Sequence, residues 1–95
     1  MSVKHEHVSG SNSKNNVMLY ALSTCPWCKK TKGLLDELDV KYDYIDVDLV
    51  IGDEQDKIVE DIEKVNPEGG FPTMVINKTS VIVGYRPDEI KAALE

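Results

Sequence analysis

Between Val17 and Leu22 six apolar side chains follow one another without a polar interruption. A strand so uniformly apolar needs cover on both faces, which is the situation of a central, parallel-paired strand. After a turn at Ser23-Thr24 the period changes to that of a helix. Cys28, Thr31, Leu35 and Leu38 fall on one face, Leu34 widens it, and Pro26 stands at a first helical position, where its missing N–H is no loss. Gly33 lies inside this helix at a cost of about 1 kcal/mol relative to alanine; close approach to a sheet would account for it. Lys41–Val47 predicts a second strand, joined to the first by a right-handed crossover. Gly52-Asp53 opens another helix, with Asp53 as N-cap and Ile58, Ile62 and Val65 along its buried stripe, and Asn66-Pro67 ends it. Phe71-Pro72-Thr73 leads into a strand Met74–Ile76, a turn at Asn77-Lys78 and a short strand Val81–Val83, together a hairpin. Gly84-Tyr85-Arg86-Pro87 introduces a last helix to Leu94. The order β-α-β-α-β-β-α predicts an α/β fold: a four-stranded mixed sheet, half parallel and half antiparallel, with three helices on its two faces.

Residues 1–16, rich in Ser, Asn, Lys and His, offer too little apolar surface to order themselves and are predicted to be a disordered tail. His5 and His7 in that tail are expected to be solvated. Residues 17–95 then form one small domain. Composition adds little to this: 41% hydrophobic and 29% charged residues are ordinary for a soluble globular chain. Charge adds more. The net charge of −6 argues against a general affinity for nucleic acid or for anionic membrane surfaces. No acidic residue falls between Glu6 and Asp36, however, while Lys14, Lys29, Lys30 and Lys32 do. The Asp/Glu-rich stretch from Asp53 to Glu63 reads as a solvated face. The polar amino-terminus lacks the apolar core of a signal peptide, and no apolar run is long enough to span a bilayer. A cytoplasmic monomer is the expectation, and there the Asn77-Lys78-Thr79 sequon has no use.

The only two cysteines stand within that locally basic segment, as Cys25-Pro26-Trp27-Cys28. A Cys-x-x-Cys pair at a strand-to-helix junction in a cytoplasmic chain points to a redox dithiol rather than a structural bridge. Cys25, at the helix start, faces unpaired backbone N–H groups and the positive end of the helix dipole; both favour its thiolate. Thiols so placed titrate between about 3.5 and 7.5, against about 8.5 for a free cysteine. Cys25 is therefore the expected nucleophile. Cys28, turned inward one helical turn later, is expected to resolve the mixed disulfide. Pro26 restricts the loop between the thiols, and Trp27, beside them, is a candidate substrate contact.

The chain resembles the glutaredoxin-type members of the thioredoxin-fold superfamily over about residues 17–94. The resemblance rests on Leu19-Tyr20, Cys25-Pro26-Trp27-Cys28-Lys29-Lys30, the strand Tyr42–Val47, Phe71-Pro72-Thr73, and Gly84-Tyr85-Arg86-Pro87-Asp88. It implies a thioredoxin-like (glutaredoxin) fold in which Pro72 is cis and lies against the dithiol, with the Phe71 backbone pairing with an extended substrate or glutathione. Tyr85, Arg86 and Asp88 join the candidate substrate-binding residues, Arg86 for an anionic thiol or a partner carboxylate. The last motif is similar to the Gly-Phe-Arg-Pro-Asp of the NrdH-redoxins, which serve ribonucleotide reductase and resemble thioredoxin in their electron supply. Leu22 stands where glutaredoxins usually carry a Lys or Arg for a glutathione carboxylate. The resemblance thus implies a thiol–disulfide oxidoreductase without a cofactor. Its partners would be a disulfide-containing protein, ribonucleotide reductase among the options, and a reductase or low-molecular-weight thiol as electron donor.

Two other classes compete. In a metal- or iron–sulfur-binding module, one Cys-x-x-Cys supplies half a ligand set and a second chain, the tail histidines or an added thiol must supply the rest. An adaptor domain would carry the dithiol inert.

Overall fold

The computed structural model describes residues 6–94. In chain order its elements are β1 (Glu6–Val8), β2 (Val17–Ala21), α1 (Pro26–Glu37), β3 (Tyr42–Asp46), a 3-10 turn (Val47–Leu49), α2 (Gly52–Val65), β4 (Thr73–Ile76), β5 (Ser80–Val83) and α3 (Pro87–Leu94). The strands form one mixed sheet in the order β1-β3-β2-β4-β5. β2 and β3 are parallel, with Ala21 opposite Asp46 at the end of their register. All the other pairs are antiparallel.

β2 is central, and its side chains divide between two cores. Val17, Leu19 and Ala21 are buried with Leu34 and Leu35 of α1 and Ile90 and Leu94 of α3. Met18 and Tyr20 pack on the other side against Ile45, Val47 and, from α2, Ile58 and Ile62. Cover on both faces is what the uninterrupted apolar run required. Asn77 and Lys78, both at positive φ (54° and 63°), close the β4–β5 hairpin. That is the backbone a two-residue turn matched to strand twist demands.

Three expectations need correction. The sheet has five strands, because part of the segment read as a disordered tail is ordered. β1 pairs with β3, Val8 opposite Tyr42 and His7 opposite Asp43, and the His7 ring meets the Asp43 carboxylate. The following stretch is tied down as well: the Asn12 N–H donates to the Asp39 carbonyl (2.9 Å) and the Lys41 N–H to the Asn12 carbonyl (2.9 Å). The Asn12 amide reaches the Leu94 carbonyl at 2.8 Å. Chain runs so close here that a Cβ at Gly10 would lie 2.6 Å from the Asp39 carbonyl oxygen. Hydrogen bonds to β3 and to the chain beside it order this arm, and Val8 packs against the core. His5 lies outside the described residues.

Asp53 is not the N-cap of α2. The helix starts at Gly52 (φ +67°) after Ile51, and Asp53 and Glu54 occupy its first turn. Gly33 faces solvent and nothing lies within 4 Å of where its Cβ would be, so no close approach explains it. Among the described residues no helix is long and apolar enough to cross a membrane.

Candidate active site

The C-terminal end of β2 delivers the chain through a tight turn, closed by the Cys25 N–H on the Leu22 carbonyl at 3.2 Å, into α1. Cys25 has extended backbone angles (φ −81°, ψ 118°) and is the N-cap of that helix. Its sulfur accepts a hydrogen bond from the Cys28 N–H at 3.3 Å. A thiol therefore fills the place that Ser, Thr, Asp or Asn usually takes at a helix start. Both cysteines are free thiols; Cys25 is half-buried and Cys28 buried.

The two sulfurs are driven apart in acidity. Desolvation opposes ionisation of Cys25, but hydrogen bonds from the Cys28 thiol and from the Cys28 and Trp27 N–H groups outweigh it and bring the pKa below the usual thiol value. Burial, and then donation of its own proton to Cys25, push Cys28 up to about 12, against the opposing influence of the Leu22 N–H and the Lys32 ammonium. One helical turn thus separates a thiol biased toward the anion from one held protonated. Such opposed shifts at neighbouring groups mark sites of proton and nucleophile chemistry.

Trp27 is 54% exposed. Its ring stacks on Tyr85, with centroids 5.9 Å apart and planes inclined by 25°, and the Lys30 ammonium lies 4.6 Å from the Trp27 ring centroid. Trp27, Phe71, Gly84 and Tyr85 line an open cavity of about 250 Å³ beside the helix start. The Phe71–Pro72 peptide bond is cis. Pro72 is buried, and its carbonyl accepts the Gly84 N–H at 2.8 Å, tying the two loops that supply the cavity. Of the residues singled out in the sequence, Cys25, Cys28, Trp27, Phe71, Pro72 and Tyr85 thus gather at one end of the sheet. Pro26 is exposed at the first position of α1. Arg86 and Asp88 do not line the cavity. Arg86 is exposed, donating to the Val83 carbonyl at 2.9 Å and standing 3.5 Å from Glu89; Asp88 lies in the first turn of α3.

Other residues support the site without having stood out in the sequence. Asn66, buried, donates from its side-chain amide to the Gly69 carbonyl (2.8 Å) and the Thr73 hydroxyl (3.1 Å). Thr73 donates to the Gly70 carbonyl at 2.8 Å, so the loop bearing Phe71 and Pro72 is braced from within. Lys32, on α1, pairs with Asp46 at 3.0 Å and lies 4.0 Å over the Tyr44 ring. The Asn66–Thr73 and Lys32–Asp46 partners lie 7 and 14 positions apart in the chain, beyond any local pattern. Among the described residues no group of three or more His, Cys, Asp or Glu is placed to hold a metal ion.

Residues 17–81 match the glutaredoxin family model. A glutaredoxin-like 8.6 kDa protein in the rubredoxin operon of Clostridium pasteurianum is 33% identical over 79 residues, 83% of this chain and 97% of that one. The crystal structure of a glutaredoxin from Methanosarcina mazei superposes with a TM-score of 0.87 at 44% identity, covering 97% of this chain and 88% of its own. Methanoredoxin from Methanosarcina acetivorans gives 0.88 at 39% identity, covering 98% and 96%. Fold, family model and relatives agree: the chain is a thioredoxin-fold protein of general thiol–disulfide redox type and belongs to the glutaredoxin family.

Proposed function

We propose that this protein is a thiol–disulfide oxidoreductase that reduces disulfides of proteins or small molecules through Cys25 and Cys28. The observation that carries the proposal is the divergence of the two thiols: the half-buried sulfur capping α1 is stabilised as an anion, and the buried one is kept protonated. The Cys25 thiolate attacks one sulfur of the substrate disulfide, forming a mixed disulfide and expelling the other sulfur as a thiolate that takes up a proton. Cys28 then loses its proton and attacks the Cys25 sulfur, closing the intramolecular disulfide and releasing the second substrate thiol. Formation of the adduct itself favours the second step. Once Cys25 is no longer an anion, it neither repels a Cys28 thiolate nor accepts the Cys28 proton, while the Leu22 N–H and Lys32 still favour that thiolate.

Trp27, Phe71 and Tyr85 supply the apolar wall against which the substrate lies, a surface suited to a protein chain or a compact organic disulfide. Two electrons from a reductase or a low-molecular-weight thiol return the pair to the dithiol, as a carrier in a reducing, cytoplasmic setting requires. Reduction of hydroxyethyl disulfide and of insulin is the test. Turnover by the wild type and none by Cys25→Ser supports the reading; an inert wild type refutes it. Supplying glutathione or a thioredoxin-reductase system in parallel identifies the donor.

A further inference from the structure

The parallel pairing of β2 and β3 ends at Ala21 opposite Asp46. Past that point both strands run into tight turns, one carrying the dithiol and the other the 3-10 turn Val47–Leu49. These two turns are held to each other by one carboxylate. Asp48 accepts the Ser23 N–H at 2.8 Å through Oδ1 and the Ser23 hydroxyl through Oδ2. Hydrogen bonds from the Ser23 hydroxyl and N–H hold the Asp48 carboxyl below the usual carboxylate range, with a further contribution from Lys32.

The Asp48 turn is itself anchored. Val47 is buried in the core beneath α2, and the Val47 carbonyl accepts both the Val50 N–H and the Gln55 side-chain amide at 3.2 Å. Ser23 is an inner residue of the turn closed by the Cys25 N–H on the Leu22 carbonyl. Fixing Ser23 fixes where the chain delivers Cys25 and therefore how the Cys25 sulfur meets the N–H groups of α1. We propose that Asp48 is a positioning residue for the dithiol, clasping the Ser23 turn so that Cys25 is presented as the cap of α1. The inference rests on Cys25 being the nucleophile, but its test does not require a disulfide substrate.

The sign of the effect separates positioning from simple electrostatics. A carboxylate near a thiol disfavours the thiolate, so deleting its charge alone would lower the Cys25 pKa. Loss of the clasp instead misaligns the donors that stabilise the anion and raises it. Asp48 is exposed and belongs to neither core, so its replacement leaves the packing intact. The experiment is titration of Cys25 by thiolate absorbance in reduced wild type, Asp48→Ala, Asp48→Asn, Ser23→Ala and the Ser23→Ala/Asp48→Ala double variant, with thermal melting to confirm the fold. In Asp48→Ala the transition should rise by about one pH unit, a tenfold lower thiolate fraction at pH values below it. Because thiolate nucleophilicity rises with pKa, single-turnover attack on hydroxyethyl disulfide should slow only about threefold at low pH and match or exceed wild type above both transitions. Ser23→Ala and Asp48→Asn, each keeping one bond of the clasp, should give smaller rises, and the double variant should go no further than Asp48→Ala. A transition that falls or stays put in folded Asp48→Ala, or additive shifts in the double variant, would overturn the proposal. A wild type with a low transition but no reaction toward disulfides would instead count against the catalytic reading alone.

Discussion

The starts of the three helices differ in a way that separates stability from chemistry. α2 opens with Asp53 and Glu54 and α3 with Asp88 and Glu89, and each carries a lysine in its last turn. Those charges oppose the helix dipole at both ends, an arrangement worth about 0.3–1 kcal/mol per charge. α1 has neither: no acid in the first turn and no base in the last. The positive end of its dipole is left for one anion, the Cys25 sulfur. A helix start that forgoes ordinary stabilisation while a thiol occupies its cap is a start committed to reactivity.

The sharpest way to break this contrast is to keep the cap and remove the sulfur. Serine caps helices well, so Cys25→Ser should preserve the melting temperature closely while abolishing disulfide reduction altogether, measured by hydroxyethyl-disulfide turnover. Equal loss of both would mean the thiol serves the fold. Next in size is Cys28→Ser. It should leave the first attack intact but block intramolecular release, so the mixed disulfide with a substrate thiol accumulates and is seen by intact-mass spectrometry at nearly one equivalent. Rapid turnover without accumulation would assign resolution elsewhere. The same asymmetry has a pH signature in the wild type. Alkylation of Cys25 by iodoacetamide should follow a transition below the usual thiol value, because its folded pKa is lowered, whereas Cys28, buried and held protonated by its bond to Cys25, should label only after Cys25 has reacted. Peptide mapping of partly alkylated protein checks both.

Much of this site could be read along the chain because its chemistry is local. Cys25, Pro26 and Cys28 lie within one helical turn, and the switch from an apolar run to a 3.6-residue period places them at a strand-to-helix junction. The Gly84-Tyr85 loop and the Phe71-Pro72 loop came into view through resemblance to a family, not through any period. What stayed hidden depends on partners distant in sequence. Ser23 and Asp48, 25 positions apart, have no shared pattern. Nor does Asn66 before a proline announce a brace for Thr73. β1 was invisible for a different reason: Val8 is the only apolar residue among Glu6, His7 and Val8, and its contact with the core shows only once β1 is paired with β3. The start of α2 at Gly52 was legible, but its cap was not: Gly52, at positive φ, precedes Asp53 inside the helix, so Asp53 cannot cap it.

A milder perturbation makes α1 begin as α2 does. Lys29→Glu, at an exposed position whose N–H closes the first turn of α1 on the Cys25 carbonyl at 3.1 Å, places a carboxylate at the helix start that Cys25 caps. The folded Cys25 pKa should rise by about half a unit to one unit, moving the thiolate curve to higher pH. At pH values below both transitions attack on a disulfide should slow about two- to threefold, and the effect should shrink as salt is added. Below the thiolate transition, where Cys25 is neutral, the same substitution should stabilise the protein, because a carboxylate then meets an unopposed dipole. Asp53→Lys in α2 is the counterpart: it should cost about 0.3–1 kcal/mol of stability and leave the Cys25 titration unmoved. A Cys25 curve that responds equally to both substitutions would mean net charge, not the helix start, sets the thiol.

The smallest effect on chemistry belongs to a change inside α1 itself. Gly33 is exposed, lies at ordinary helical angles, and an added Cβ meets nothing within 4 Å. Neither close packing nor a positive φ requires glycine here, and the residue gives up about 0.8–1 kcal/mol of helix propensity. Gly33→Ala should therefore raise the melting temperature by about 4–8 °C in a domain of this size. It lies two turns beyond Cys25, past the range over which the dipole is felt, so the thiolate transition should not move. If stabilising the middle of α1 did raise or lower the Cys25 pKa, the capping geometry would have to depend on the rigidity of the whole helix. If stability did not change, the helix would have to be held by its buried face so firmly that propensity no longer registers. The structure favours the simple outcome, because Cys28, Thr31, Leu34 and Leu35 anchor one face while Gly33 stands on the other.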